Sequence, residues 1–226
     1  MNIDPAKRAA NAALKRQRTR ATILLAAFRL IGKDRGDFQR VEDFCTAAGV
    51  SRGTFYNYFP GVEALYATLA NELSRDFDSA VHRAMESMLT AAERTAAAVR
   101  YYMQAAIDNP RWGWAMVHTS MGGDVFGPEV SARARLTIQE GIRAEEFSIS
   151  SAELGKALVL GTGLAGTLDI VRGRAEPDYP REMARHVLLG LGVEPGLAER
   201  VARAPLPPLQ PVETGASPVN YWASKV

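Results

Sequence analysis

The chain has 226 residues and a mass of 24.6 kDa, is 47% hydrophobic and 23% charged, and carries a formal net charge of +2 with a pI near 8.8. That is the balance of an ordinary soluble globular protein, long enough for one domain of about 200 residues or for a small and a medium one. A single cysteine, Cys45, excludes a disulfide framework, no Cys/His spacing suits a structural zinc, and the longest uncharged apolar run, 157–168, is too short to span a bilayer. A cytoplasmic protein with no metal, no cofactor and no membrane segment is the expectation.

In chain order, residues 1–18 come first as a basic arm without the apolar centre of a secretory signal. Up to Phe59 the chain holds 11 Lys and Arg against 5 Asp and Glu, whereas the remainder holds 16 against 20. Six of the bases, Lys7, Arg8, Lys15, Arg16, Arg18 and Arg20, stand before the first apolar segment. They suit a flexible arm laid along phosphates, or a solvated tail.

Helical periodicity runs through nearly all of the rest and strand alternation is almost absent, so the predicted fold class is all-α. A first helix is predicted at about 19–33, with Ile23, Ala27, Leu30 and Ile31 on one face. Val41, Phe44, Cys45 and Ala48 fall at i, i+3, i+4 and i+7, a short amphipathic helix ended by Gly49. Ser51 can cap a third helix over 52–58 that buries Phe55 and Phe59, and Pro60-Gly61 breaks it. The stripe Leu65, Leu69, Leu73, Phe77, Val81 predicts a helix of roughly 25 residues from Val62, about 37 Å long. Further helices are predicted at 91–108, 111–121, 128–146, 151–172, 179–191 and 195–203. The Pro-rich tail from Pro205 is expected to be extended or disordered. The chain therefore divides into an arm (1–18), a small helical head (19–61), a larger helical body (62–204) and a tail (205–226).

Two short helices joined by a tight Gly-containing turn make a helix-turn-helix, in which the second helix enters the major groove. Its outward residues carry suitable chemistry. Arg52 can fork onto a guanine edge and Asn57 onto adenine, while Ser51, Thr54, Tyr56 and Tyr58 suit phosphate oxygens and Gly53 lets the backbone come close. No acidic side chain lies between Thr46 and Val62. The other reading of the same pattern is a surface helical hairpin.

The segments Thr22-Ile23-Leu24, Val41-Glu42-Asp43-Phe44, the run from Ala47 through Gly49-Val50-Ser51-Arg52-Gly53-Thr54-Phe55-Tyr56-Asn57-Tyr58-Phe59, and Glu63-Ala64-Leu65 resemble the DNA-binding head of TetR/AcrR-type transcriptional regulators. The likeness covers about 45 residues and is most specific in the run AAGVSRGTFYNYF. It implies an all-α homodimer, DNA contacts from the third helix and from the start of the second, and an effector-binding body whose last two long helices form a four-helix dimer bundle. Two positions depart from the family pattern. Arg40 replaces a capping Thr before the second helix, and Val62 replaces a Lys that meets phosphate.

Two other motifs compete. Gly161-Thr162-Gly163-Leu164-Ala165-Gly166 matches G-x-G-x-x-G, but a dinucleotide site needs strands on both sides, and no second strand follows. Small residues at Gly161 and Ala165, and at Gly163 and Thr167, fit close helix approach at a dimer interface better. Gly49-Val50-Ser51-Arg52-Gly53 matches a hydrolase elbow, yet a helix and not a strand leads into Ser51. His82, His118 and His186 are scattered, and Cys45 falls on a buried face. No catalytic residue is assigned.

Tyr101, Tyr102, Trp112, Trp114, Met116, His118, Met121 and Phe126 crowd into 26 residues, a density that suits an adaptable apolar pocket or plain core. Asp169 interrupts an apolar helix and faces the pocket, the dimer axis or water. The expected function is a homodimeric regulator, a repressor of a double-stranded DNA operator released by an apolar or aromatic small molecule. The alternatives are an NAD(P)-dependent enzyme built on 161–166 and a helical interaction protein without DNA affinity.

Overall fold

The computed structural model describes residues 5–120 and 124–210. They form α1 (Pro5–Ile31), α2 (Val41–Ala48), α3 (Arg52–Tyr56), α4 (Val62–Met85), α5 (Ala91–Asp108), α6 (Pro110–Ser120), α7 (Pro128–Arg143), α8 (Ala152–Val171), α9 (Tyr179–Gly190) and α10 (Pro195–Arg203). No strand occurs among the described residues.

Local chemistry sets most boundaries. At α5 the Thr90 hydroxyl accepts from the Glu93 N–H at 3.1 Å and the Glu93 carboxylate accepts from the Thr90 N–H at 3.0 Å, a reciprocal cap. Ser51 and Ser151 cap α3 and α8 in the simpler way, each accepting the N–H three residues on. Pro opens α7 and α10, where its missing N–H is not needed.

The clearest departure from the sequence reading is α1, which begins at Pro5 and not near Thr19. The basic arm is thus a helical extension, and at 27 residues α1 is about 40 Å long. Ala9, Ala10, Ala12, Ala13, Leu14, Lys15, Arg16 and Gln17 are strong helix formers, but they make no buried stripe, so periodicity does not reveal them. At the other extreme α3 closes at Tyr56, and bonds to Phe55 O from the N–H groups of Tyr58 (2.9 Å) and Phe59 (3.0 Å), the first spanning three residues and the second four, finish the turn.

One apolar core joins head to body. Ile23, Phe28, Phe44, Phe55 and Phe59 meet Leu65 and Leu69 on α4, and the same cluster continues to Tyr102, Trp112, Met116 and Phe126. A second core holds α5, α7, α8, α9 and α10 together around Met103, Ile138, Val187 and Leu188. Gly141 is tightly enclosed there, where a methyl group would overlap the Phe147 ring. Gly141→Ala is therefore expected to cost about 1–3 kcal/mol, read as a lower Tm by circular dichroism.

The described part of the tail is extended and docked. Leu206 and Leu209 pack with Val81 and Tyr101, while Arg100 donates to Ala204 O at 2.6 Å and Tyr101 OH to Pro207 O at 2.6 Å. Residues 211–226 lie outside the described residues. The apolar run 157–168 is the centre of α8, which over its whole 20 residues is long and apolar enough to cross a membrane by length and composition alone, a test that the core helix of a folded domain also passes. Here α8 packs against α5, α6, α7 and α9.

Candidate nucleic-acid interface and interior cavity

The turn between α2 and α3 is built on Gly49, whose φ of 65° lies in the left-handed region that a side chain resists. Space is not the constraint, because a Cβ there would meet nothing within 4 Å. The Val50 N–H then reaches Cys45 O at 3.0 Å, closing the end of α2. Ser51 Oγ accepts the Thr54 N–H at 3.1 Å and starts α3. Phe55 and Phe59 are buried, which turns Arg52, Gly53, Tyr56 and Asn57 outward and leaves Thr54 and Tyr58 half-buried beside them. All the residues predicted on this helix are therefore brought to one surface or its margin. Cys45 is buried, and burial raises its thiol pKa.

Arg52 is engaged in the absence of DNA. The Tyr56 hydroxyl accepts from it and the Glu42 carboxylate pairs with it at 2.8 Å, and these two, in that order, hold its guanidinium pKa above the ordinary value. Glu42 is thus an acid that reaches the outward face of α3 from α2, invisible to a search of the 46–62 segment alone. Glu42→Gln is expected to tighten DNA binding, within about fivefold because the pair is exposed, in a fluorescence-anisotropy titration.

Arg40 is exposed at the start of α2 and, having no acceptor, does not cap it; Asp43 Oδ2 accepts the Arg40 N–H at 2.7 Å instead. Val62 is half-buried against the core. On α1, Lys15, Arg16 and Arg18 are exposed, whereas Arg20 pairs with Glu72 of α4 at 3.1 Å.

Helix α6 ties the head to the body. His118 Nδ1 lies 2.7 Å from Ile31 O at the end of α1, Gly32 sits directly under Arg111, and Trp112 Nε1 donates to Leu73 O of α4 at 3.2 Å. The Trp114 ring stacks on His118 with centroids 5.5 Å apart.

A cavity of about 240 Å³ lies between α4, α5, α7 and α8. Val81, Val99, Val130 and Leu160 line it, together with Phe126 from the connection between α6 and α7, where Phe126 is held at a φ of 60°. Asp78 on α4 also lines it, 3.1 Å from Arg133 Nε on α7; burial raises the pKa of this carboxyl and Arg133 opposes the rise. Burial likewise pushes the Tyr102 phenol well above its ordinary value, with the nearby Asp78 charge adding to the shift.

Of the residues predicted for a pocket, only Tyr102 and Phe126 line this cavity. Tyr101 and Trp112 border an open groove of about 880 Å³ beside the docked tail, and His118 a cleft of about 440 Å³ between head and body. Trp114 and Met116 are buried and line none of these three spaces. Asp169 accepts from Tyr179 OH at 2.9 Å and pairs with Arg174 at 3.0 Å, and Met121 lies outside the described residues. Aromatic density marked the core that surrounds the cavity more than its wall. The missed signal is Ser74 and Asp78, four apart and both buried, one position beyond Leu73 and Phe77 in the apolar stripe.

The competing motifs fall where their chemistry cannot operate. Gly161 to Gly166 lie inside α8, with no strand on either side among the described residues, and Ser51 is a helix cap. The small residues divide. Gly161 and Ala165 are exposed with open space above Gly161, while Gly163 and Thr167 are buried, Gly163 against the Phe126 ring. No cluster of three or more His, Cys, Asp or Glu suited to a metal occurs among the described residues.

A capped helix-turn-helix fused through a shared core to an all-helical body with an interior cavity defines a class, the two-domain helix-turn-helix proteins. Residues 90–204 match the family described as tetracyclin repressor-like, C-terminal domain. The chain belongs to this family, the TetR-type transcriptional regulators. It is also 41% identical over 68 residues to the HTH-type transcriptional regulator EthR of Mycolicibacterium smegmatis, a match covering 30% of this chain and 31% of that relative's length. Among solved structures, RolR in complex with resorcinol has a TM-score of 0.66 at 24% identity, covering 88% of this chain and all (100%) of that one. FadR of Bacillus subtilis in complex with stearoyl-CoA has a TM-score of 0.55 at 18% identity, covering 75% and 96%. At these identities the structural likeness is one of fold.

Proposed function

We propose that the protein is a homodimeric cytoplasmic repressor that reads a near-palindromic operator with two copies of α3 and leaves it when a small apolar or aromatic molecule occupies the body. The observation that carries this reading is the capped α3, anchored by Phe55 and Phe59, with Arg52, Gly53, Tyr56 and Asn57 all turned outward. Two such helices related by a two-fold axis would stand about 34–36 Å apart, one turn of DNA. The exposed Gly161 and Ala165 on α8 support pairing with a second copy through that helix. The resorcinol-bound relative supports an aromatic effector, and the cavity is of a size to take one ring.

Release requires the effector to favour a state with a different head spacing, and couplings of this kind amount to about 1–3 kcal/mol. Helix α6 touches α1 at Ile31 and α4 at Leu73, which gives such a change a route from body to head. The test is anisotropy with an operator duplex. Arg52→Ala and Tyr56→Ala are each expected to weaken specific binding about tenfold or more while the circular dichroism spectrum stays unchanged. Unchanged affinity in both variants would contradict the reading.

A further inference from the structure

The wall of the 240 Å³ cavity is uneven. Most of it is hydrocarbon, yet one stretch carries four polar side chains, an ion pair and two hydroxyls. Asp78 and Arg133 form a pair at 3.1 Å, with Asp78 only 7% exposed. Thr95 and Tyr102, residues 4% and 7% exposed, line the same space; the Thr95 hydroxyl has no hydrogen-bond partner, and the Tyr102 hydroxyl has none of good geometry although it interacts with Asp78. Buried polar groups are nearly always satisfied, so two under-bonded hydroxyls on residues that line one cavity mark a place for a ligand's polar atoms.

We infer that this cavity recognises an uncharged, single-ring hydroxylated aromatic, a phenol or benzenediol, whose ring fills the apolar slot and whose hydroxyls bond Thr95 and the Tyr102–Asp78–Arg133 cluster. The inference rests on the proposal that the body cavity is the effector site, and names its ligand class.

Size, charge and bonding capacity each restrict the occupant. The volume lies below the range of about 300–1,000 Å³ typical of drug-sized pockets, which favours one ring and excludes a long acyl chain. Asp78 and Arg133 neutralise each other, as do Arg94 and Glu140 at 2.8 Å, so apart from His82, which lines the cavity outside either pair, a charged ligand would meet no uncompensated charge. A carboxylate only accepts and would oppose Asp78. A hydroxyl both donates and accepts, so it can give its proton to Asp78 while receiving from Arg133 or Tyr102. Thr95 and Tyr102 stand seven residues apart on α5, two turns and about 10 Å of rise, which gives a second hydroxyl its own partner.

Calorimetric titration of the full chain with benzene, phenol, 1,3-benzenediol and benzoate tests this, with operator binding followed separately by anisotropy. Phenol is expected to bind about tenfold more tightly than benzene and the diol more tightly again, with benzoate weakest. Thr95→Val and Tyr102→Phe, which preserve shape, are each expected to lower diol affinity about tenfold and leave benzene unchanged, and Thr95→Val to raise the Tm of the ligand-free protein because an orphan hydroxyl is gone. Equal affinity for benzene and the diol, preference for benzoate, no binding of any of the four, or diol affinity unchanged in both variants would overturn the inference. If any of these occurs while operator binding is intact, the regulator reading survives without this ligand class. If the diol binds with the stated selectivity to a protein that ignores DNA, the ligand class stands and the regulator reading fails.

Discussion

Phe55→Ala is expected to cost about 3–5 kcal/mol of stability and to abolish operator binding. Phe55 is fully buried at 0% exposure, its ring 5.8 Å from Phe59, and it is the side chain that fixes which face of α3 looks outward. Its loss leaves a cavity under a five-residue helix that holds itself together with one cap and a few backbone bonds. The loss falls on the core shared by head and body and not on the second core, around Ile138 and Leu188, of which Phe55 is no part. Urea unfolding followed by circular dichroism should show a lower midpoint, and a curve matching that of the parent protein would contradict the packing argument.

His118→Leu is expected to separate binding from release. The substitution removes the 2.7 Å contact with Ile31 O and leaves a buried carbonyl without that partner, at a cost of about 1–3 kcal/mol. The recognition surface is untouched, so operator affinity without effector should stay within a few-fold of the parent value. The ratio of operator Kd with and without saturating effector should instead fall toward one, from the 5- to 150-fold range common for such couplings. A full ratio retained in the variant would show that the signal travels elsewhere, through Trp112 and α4 for example.

The sequence made the head legible because local chemistry dominates there. Gly49 at positive φ, Ser51 as a cap, and Phe55 and Phe59 at a helical interval each leave a mark in one dimension. The same holds for α5, bounded by the Thr90–Glu93 cap and Asn109-Pro110, and for α10, opened by Pro195. The extension of α1 was hidden because a helix that buries nothing has no periodic stripe, and only its Ala, Leu, Lys and Arg content points to it. The cavity wall was hidden for a different reason. Asp78, Thr95 and Arg133 come from three helices and read singly as solvent-facing polar residues; only packing brings them together. Trp114 and Met116, conspicuous by type, are spent on the core. Glu42 shows the same limit at the outward face of α3, where its pairing with Arg52 depends on how α2 crosses α3.

The most direct test of the account is anisotropy of the purified full chain with the duplex upstream of its own gene and with a scrambled duplex, at several salt concentrations. Phosphate neutralisation by the exposed bases of α1 and by the head should make binding fall steeply with salt, and α3 should favour the upstream duplex until Arg52 is replaced by Ala. That result establishes α3 as the reading helix. The absence of salt-dependent binding to either duplex, even at low ionic strength, would contradict the account.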